Sequence, residues 1–442
     1  MAKKNRTEQF FQQMEKLVGR SEAQQLIEAI RQVSPKSVRY NPKQCRLDEL
    51  KGAAVPWCEP YGRYWQEDIF PSRTLEYAVG KYYIQEASAM LAVSAASRAI
   101  DFSDKIVLDL TAAPGGKATQ AAELIDSGYL VANEVIRKRV DALTWNINRH
   151  RLNNVIITSI ATNLLVQSLP GFFDVVFVDA PCSGEGLFQR RKHSPVNWSE
   201  KNIRFCARRQ ESILKDAVEL VRPEGYLVYS TCTFSQEENE NQVEFLLKRG
   251  FNPVPLPEAL PVSPAVTENE NVRLCSKRIF PHREGGAGAF VAIVQKEPGT
   301  VIPFAGKYEH YKSKKPMVKK GVIPFIRSDD LEGFFYEKGG ITGYFSYDRI
   351  PGILKQESFQ IGAPVFDKRR PDAIMFGSIQ IPSPGAMIDV EREQAESYTR
   401  GEELHLNYPD GFYYIVFQEM VLGPVKITNT RAVNKLPAPL RR

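Results

Sequence analysis

Two cysteines stand where packing explains a thiol poorly. "VDAPCSGEGLF" (178–188) puts Cys182 shortly after Asp179, and "LVYSTCTFSQEENE" (227–240) puts Cys232 between two threonines. Each follows an apolar run and precedes loop residues, so each thiol is expected at the end of a strand. A single buried cysteine is an ordinary small hydrophobe. Two free thiols and a carboxylate gathered at strand ends suit covalent catalysis instead, with one thiolate attacking and a neighbour moving protons. Ser235 and Glu238 have capping-box spacing, which predicts a helix from Gln236. A helix N-terminus just past Cys232 favours its thiolate over a free-thiol pKa of ~8.5. The residues themselves do not rank the two cysteines.

A second chemical signal lies upstream, in "DLTAAPGGKATQAAELI" (109–125). An acid, a Pro-Gly-Gly turn and a helical pattern follow a strand directly. Such a loop lets the backbone approach a ligand and offers free N–H groups. It is not a Walker loop, because Thr111 stands where the first glycine belongs and Ala118 follows Lys117; Gly-x-Gly-x-x-Gly is absent as well. A nucleotide-like ligand without a phosphate clamp remains. Glu134, at the tip of the next strand, sits about 20 residues beyond the glycines, where an acid takes ribose hydroxyls. S-adenosylmethionine has a ribose, an adenine and a sulfonium but no phosphate, and Asp109 suits the sulfonium end. The plain alternative is a strand-turn-helix whose glycines only tighten the turn; Glu134 in register argues against it.

A methyl donor, two thiols and an acid fit one reaction. Carbon 5 of cytosine is too weak a nucleophile to take a methyl group directly. A thiolate adding at carbon 6 makes carbon 5 enamine-like, an acid at ring N3 supports the addition, and loss of the carbon 5 proton releases the thiolate.

The elements that must position these groups are legible between residues 79 and 297. "KIVLDL" (105–110), "YLVANE" (129–134), "VIIT" (155–158), "DVVFVDA" (174–180) and "GYLVYST" (225–231) are near-continuous apolar runs, with "AFVAIVQK" (289–296) as an added strand. Helical spacing covers Gln120–Asp126, Val135–Asn148 and Asn202–Val221 between them. Strands of this kind alternating with helices predict a doubly wound α/β domain with a mostly parallel sheet. Ligands then bind beyond the carboxyl ends of the strands, which brings both cysteines to the cofactor loop. Residues 1–78 read as a small N-terminal α/β domain with a helix over Glu8–Val33 and a strand in "SVRYNP". Residues 298–320 read as a basic linker, and 321–442 as one or two small β-rich modules.

The 442 residues exceed one simple core, since domains run roughly 100–200 residues. No apolar segment approaches the ~20 residues of a membrane span. "MAKKNRTEQF" has no apolar h-region, so no secretory signal is expected. Six scattered cysteines without C-x-x-C fit a reducing cytoplasm, and the five isolated histidines give no metal site. A net charge of +6 says little alone. Arg137-Lys138-Arg139, Arg190-Arg191-Lys192, Arg208-Arg209, the run 307–320 and Lys368-Arg369-Arg370 together lean toward a nucleic-acid surface, although any one of them suits a solvated face.

"AAPGGK" (112–117), "DAPCSGEG" (179–186) and "YSTCTFSQEENE" (229–240) closely resemble the motifs of the Nop/Sun family of RNA 5-methylcytosine methyltransferases. "YYIQEASAML" (82–91) and "RIFPHREGGAGAFVAIV" (278–294) resemble the segments that open and close that family's catalytic domain. The tail from "YTRGEEL" (398–404) is similar to the extension of its bacterial small-subunit rRNA branch, which implies a PUA-like C-terminal region. The resemblance implies Cys232 as nucleophile, with Cys182 assisting proton removal or product release. It implies Asp179 at the cytosine and the methyl-donor end. Thr111, Ala112, Ala113, Pro114, Gly115, Gly116, Lys117 and Glu134 would hold S-adenosylmethionine, with Arg139 supporting that side and Lys117 orienting the reacting pair. The implied partner is 16S rRNA, free or in a 30S subunit, with tRNA second, acted on by a cytoplasmic monomer. Two departures stand out. "TSIATN" (158–163) leaves Ser159 and Asn163 as alternatives for the adenine contact, and "VKITNTRAVNKLPAPLRR" lacks the family's Lys-Asn-aromatic-Pro-Lys-Gly ending. An adenine amino-methyltransferase would need Asp/Asn-Pro-Pro-aromatic, whereas Asp179-Ala180-Pro181-Cys182 has no aromatic and Cys232 would be idle. A non-catalytic ribosome-assembly factor on a degenerate fold would have lost the thiol or the cofactor loop, and both are intact.

Overall fold

The computed structural model describes residues 2–189, 198–300, 308–310, 334–338, 341–346, 349–367 and 387–436. The N-terminal helix expected over Glu8–Val33 is two helices, α1 (Ala2–Val18) and α2 (Arg20–Ala29). Gly19 breaks it with φ +84°, a conformation side chains resist. Phe10, Met14, Ala23 and Leu26 are buried against Phe188, Phe234 and Phe280, so the helix pair lies against the loops that carry both cysteines. Beside it, β1 (Ser37–Tyr40) pairs antiparallel with β2 (Gly62–Tyr64) and β3 (Tyr82–Ile84). A short α3 (Leu75–Ala78) precedes β3, and α4 (Leu91–Ala99) follows it.

The region from residue 106 onward then alternates as its apolar pattern predicts. β4 (Ile106–Asp109) leads to α5 (Gly116–Glu123), β5 (Tyr129–Asn133) to α6 (Arg137–Arg149), β6 (Val155–Thr158) to α7 (Thr162–Ser168), and β7 (Phe173–Asp179) to α8 (Glu200–Leu220). β8 (Val221–Thr231), α9 (Glu240–Leu247), β9 (Phe251–Pro253), β10 (Ser263–Pro264), α10 (Glu270–Cys275), β11 (Ser276–Ile279) and β12 (Ala289–Lys296) follow. The strand order is β10-β11-β12-β8-β7-β4-β5-β6. The five strands from β8 to β6 are parallel, while β12 and β11 run antiparallel, so the sheet is mixed at its edge. Successive residues point to opposite faces. Val107, Leu130 and Val175 enter one core; Leu108, Val131 and Val176 enter the other. Each such buried Val or Leu contributes roughly 1.5–3 kcal/mol. Burial on both faces is why these strands read as unbroken apolar runs.

The other edge differs from a simple extension of the chain. Strand Ser358–Ile361 pairs antiparallel with β6, and Phe345, Ile350, Leu354 and Ile361 join the core beside Tyr129 and Ile156. An edge strand offers unpaired N–H and C=O groups, and covering them is a common solution. Farther on, Met387–Asp389, Gly411–Phe417, Met420–Thr428, Arg431–Asn434 and Leu404–His405 form a separate sheet, packed on helix Arg392–Thr399. Leu75 and Val79 share its core, and Arg151 donates to the Val421 carbonyl. Most of the expected basic linker, the clusters Arg190-Arg191-Lys192 and Lys368-Arg369-Arg370, and the last six residues of the tail lie outside the described residues. Among the described residues no helix is long and apolar enough to cross a membrane.

Candidate active site

Strand register assembles the centre. The chain reverses direction across the sheet at β4, with β5 on one side and β7 on the other, and ligands bind beyond the strand ends at such a point. Asp109 ends β4. Asp179 ends β7 opposite Ser230 of β8, and Ser230 Oγ donates to Asp179 Oδ1 at 2.9 Å. Lys117 Nζ lies 2.9 Å from the other oxygen, Asp179 Oδ2. Burial pulls the Lys117 ammonium down, but Asp179 outweighs it and the net pKa is raised, so Lys117 stays charged. Burial pushes the Asp109 carboxyl up to about 7 against the Thr111 N–H bonded to it.

The two cysteines do meet. Their sulfurs are 3.1 Å apart, and the Cys232 N–H points at Cys182 Sγ (3.4 Å). The loops are tied together by Gly186 N–H to the Cys232 carbonyl (2.9 Å) and by the hydroxyls of Ser183 and Thr233 (2.7 Å). The hydrogen bond to Cys232, then burial, hold the Cys182 thiol well above its ordinary pKa. Cys182 therefore holds its proton more tightly than a free thiol, and either sulfur can donate across the 3.1 Å contact.

The glycine loop forms the floor. Gly115 has φ +113°, and α5 starts at Gly116. Thr111 Oγ1 donates to the Asp179 carbonyl (3.0 Å), joining this loop to the β7 end. Glu134 is buried just past β5; its Oε1 accepts from Ile136 N–H (2.9 Å) and its Oε2 lies 3.1 Å from Arg139. Arg139 also donates to the Ala113 carbonyl, so it links Glu134 to the loop. Two cavities adjoin here. One of about 390 Å³ is lined by Glu134, Ile136, Arg139, Thr162 and Pro181. The other, about 370 Å³, is lined by Tyr83 and Ile84 of β3, Pro114, Gly116, Lys117 and Phe290. They meet at Thr111, Asp179 and Cys232. The first, with its buried ribose-type acid, fits a nucleoside; the second is walled partly by the N-terminal unit.

Three expectations need correction. The helix after Cys232 does not start at Gln236: α9 starts at Glu240. Ser235 Oγ bonds Glu237 instead, and Glu238 turns inward to Ser183 and Gln210. A carboxylate with buried partners is lost to capping, so no helix N-terminus abuts Cys232. Neither Ser159 nor Asn163 lines the nucleoside cavity; Thr162, the first residue of α7, does. Its hydroxyl gives its proton to Asp216 (2.5 Å), which leaves oxygen lone pairs to accept an N–H. Arg209, read as part of a nucleic-acid surface, lines the same cavity beside Arg139, which was expected on the cofactor side. Ser230 and Thr162 were missed because single polar residues beside motifs carry no spacing signal.

A mostly parallel sheet with a glycine loop, a ribose-type acid and a nucleoside cavity at its switch point defines a nucleoside-cofactor methyltransferase fold. Residues 101–295 match the family model described as 16S rRNA methyltransferase RsmB/F. Residues 7–87 match the N-terminal domain of 16S rRNA methyltransferase RsmF, and 386–442 the methyltransferase RsmF PUA domain. Ribosomal RNA small subunit methyltransferase F of Aeromonas salmonicida is 31% identical, across 88% of this chain and 85% of that protein. Its namesake in Psychromonas ingrahamii is 31% identical across 88% and 85%. Among solved structures, a methyltransferase homolog from Pyrococcus horikoshii is 27% identical, with a TM-score of 0.55 over 64% of this chain and 92% of that one. The chain belongs to the RsmB/F family of 16S rRNA methyltransferases, as the "AAPGGK", "DAPCSGEG" and "STCT" motifs imply.

Proposed function

We propose that this chain methylates carbon 5 of cytosine in 16S rRNA, with Cys232 as the covalent nucleophile. The observation that carries this reading is the 3.1 Å pair Cys182–Cys232 beside Asp179 and Lys117, where the two cavities meet. S-adenosylmethionine, when bound, supplies an electrophilic methyl group on its sulfonium. Glu134 would take its ribose, with Arg139 steadying Glu134, and Thr162 would accept from its adenine amino group. The loop Thr111, Ala112, Ala113, Pro114, Gly115 and Gly116 would cradle the amino-acid end.

The base enters the second cavity. Cys182 holds its own proton and donates to Cys232, and the Lys117 ammonium lies within electrostatic reach of Cys232. A hydrogen bond from Cys182 and the Lys117 charge are the interactions a nucleophilic sulfur at Cys232 would use. Its sulfur adds to carbon 6 while Asp179, fixed by Ser230 and Lys117, bonds the ring. After methylation the carbon 5 proton passes to solvent in the open cavity, the C5–H pair reforms the 5,6 double bond, and the C6–S pair returns to the Cys232 sulfur. The Cys182 hydrogen bond stabilises that departing thiolate, which assigns Cys182 to product release. The enzyme acts in the cytoplasm as a monomer, on rRNA or the 30S subunit.

The test is a labelling assay with S-adenosylmethionine and unmodified small-subunit rRNA, naked and as 30S subunits, followed by nucleoside analysis. 5-Methylcytidine is expected. Label on adenosine, or RNA bound but unlabelled, overturns the chemistry; label on tRNA alone overturns the substrate.

A further inference from the structure

Glu238 is fully buried in the turn after Cys232, and no step above uses it. Its Oε2 accepts from the Ser183 N–H and from Gln210 Nε2, both at 2.9 Å. Gln210 also donates to the Pro181 carbonyl (3.1 Å). One carboxylate thus holds both neighbours of Cys182, Ser183 directly and Pro181 through Gln210. The backbone is fixed too, since Tyr229 donates to the Glu238 carbonyl at 2.6 Å. Glu238 Oε1 is buried without a hydrogen-bond partner among the described residues. A purely structural role needs no charge there, and an ionised carboxylate in such a place is costly.

The surroundings of the two sulfurs are unequal. Behind Cys182 lie Glu238 and, beyond it, Glu185; among the described residues Tyr229 of β8 and Cys206 of α8 are its further titratable neighbours, with Arg209 of α8 on the cavity side. Lys117, paired with Asp179, stands on the Cys232 side. Two thiols at hydrogen-bond distance share one proton when one ionises. A negative charge behind one and a positive charge near the other decide where it stays.

We propose that Glu238 is a positioning residue that selects the nucleophile: it fixes the Pro181–Ser183 loop, and its charge keeps the shared proton on Cys182 and the negative charge on Cys232. This rests on the covalent reading above and deepens it. Burial holds the Glu238 carboxyl up at about 7, so the selection weakens as pH falls through that value and Glu238 becomes neutral.

The experiment needs neither RNA nor cofactor. Both cysteines are partly exposed, so the full chain is pulsed with iodoacetamide across pH 6 to 9, and alkylation at each site is counted by peptide mass spectrometry. Cys232 is expected to react faster than Cys182 above pH 7, with the ratio falling as pH drops through about 7. Glu238→Gln keeps an oxygen for both hydrogen bonds and removes the charge. It should lower the Cys232-to-Cys182 ratio at pH 8 about tenfold, the effect of roughly one pKa unit, and flatten its pH dependence. A ratio unchanged by both pH and the substitution overturns the proposal. The wild-type pH series decides alone if the variant fails to fold. A parallel adduct assay with rRNA separates the two claims: no Cys232 adduct sinks the covalent reading, whereas an adduct with unaltered thiol selectivity sinks only the role of Glu238.

Discussion

Asp179 shows how much one residue does here: it holds Lys117, takes the Ser230 hydroxyl, and lends its carbonyl to Thr111. Lys117→Met should therefore cut methyl transfer at least tenfold while leaving cofactor affinity within a few-fold, measured by single-turnover kinetics and calorimetry with S-adenosylhomocysteine. Thr162 makes a separate prediction. Thr162→Val removes the acceptor assigned to the adenine amino group and strands Asp216. Loss of one such bond costs about 1 kcal/mol, so the dissociation constant of S-adenosylhomocysteine should rise about fivefold. That of the inosine analogue, which has no amino group, should change less; equal changes for both ligands would remove Thr162 from adenine recognition. The motif-borne residues were legible in the sequence because each sits at the end of an apolar run. Thr162 was not, since "TSIATN" offers several polar residues and only the start of α7 decides which faces the cavity. Glu238 was misread because Ser-x-x-Glu spacing describes a cap equally well, and only the buried partners Ser183 and Gln210 distinguish the two.

At the scale of elements, the cofactor loop is clamped from the N-terminal sheet. Arg39 of β1 is buried, pairs with Glu123 of α5, and donates to Thr119 of α5 (2.7 Å) and to Gln85 (2.9 Å). Breaking one partner of a buried pair costs about 3–5 kcal/mol, whereas neutralising both costs less. Arg39→Met should destabilise the chain by about that amount in urea unfolding, and Arg39→Met with Glu123→Gln should recover part of it. Full additivity of the two substitutions would deny the coupling. Gly115→Ala addresses the loop itself. A Cβ there would sit 3.3 Å from Leu143 Cδ1 at φ +113°. Strain of about 1–3 kcal/mol is expected, together with weaker cofactor binding. The strands from β4 to β8 were legible because both faces are buried. The strand Ser358–Ile361 on β6 was not, because a short segment on one edge leaves no periodic pattern, and its partner lies some two hundred residues earlier in the chain.

Across the whole molecule, the packing of the N-terminal sheet on α5 and α6 carries a pH signature. His150 is buried against Glu123 (3.0 Å), and burial holds it down at about 4 despite that carboxylate. Between about 4 and 6.5 the native state binds fewer protons than the unfolded chain, so this contribution to stability is lost as pH falls through that window. Asp109 runs oppositely. Its native value of about 7 lies above the unfolded one, so its contribution is lost as pH rises from about 4 toward 7. The urea midpoint of His150→Gln should depend less on pH between 7 and 5 than that of the wild type; an equal dependence would exclude His150. The central claim concerns bond formation at Cys232, and it has a direct measurement. Cys182→Ala enzyme is incubated with S-adenosylmethionine and unmodified small-subunit rRNA, digested, and the RNA-linked peptide sequenced by mass spectrometry. The account predicts a nucleotide on Cys232 carrying a 5-methylcytosine, and no such species from Cys232→Ala. A Cys232→Ala enzyme that methylates cytosine at the wild-type rate would contradict it.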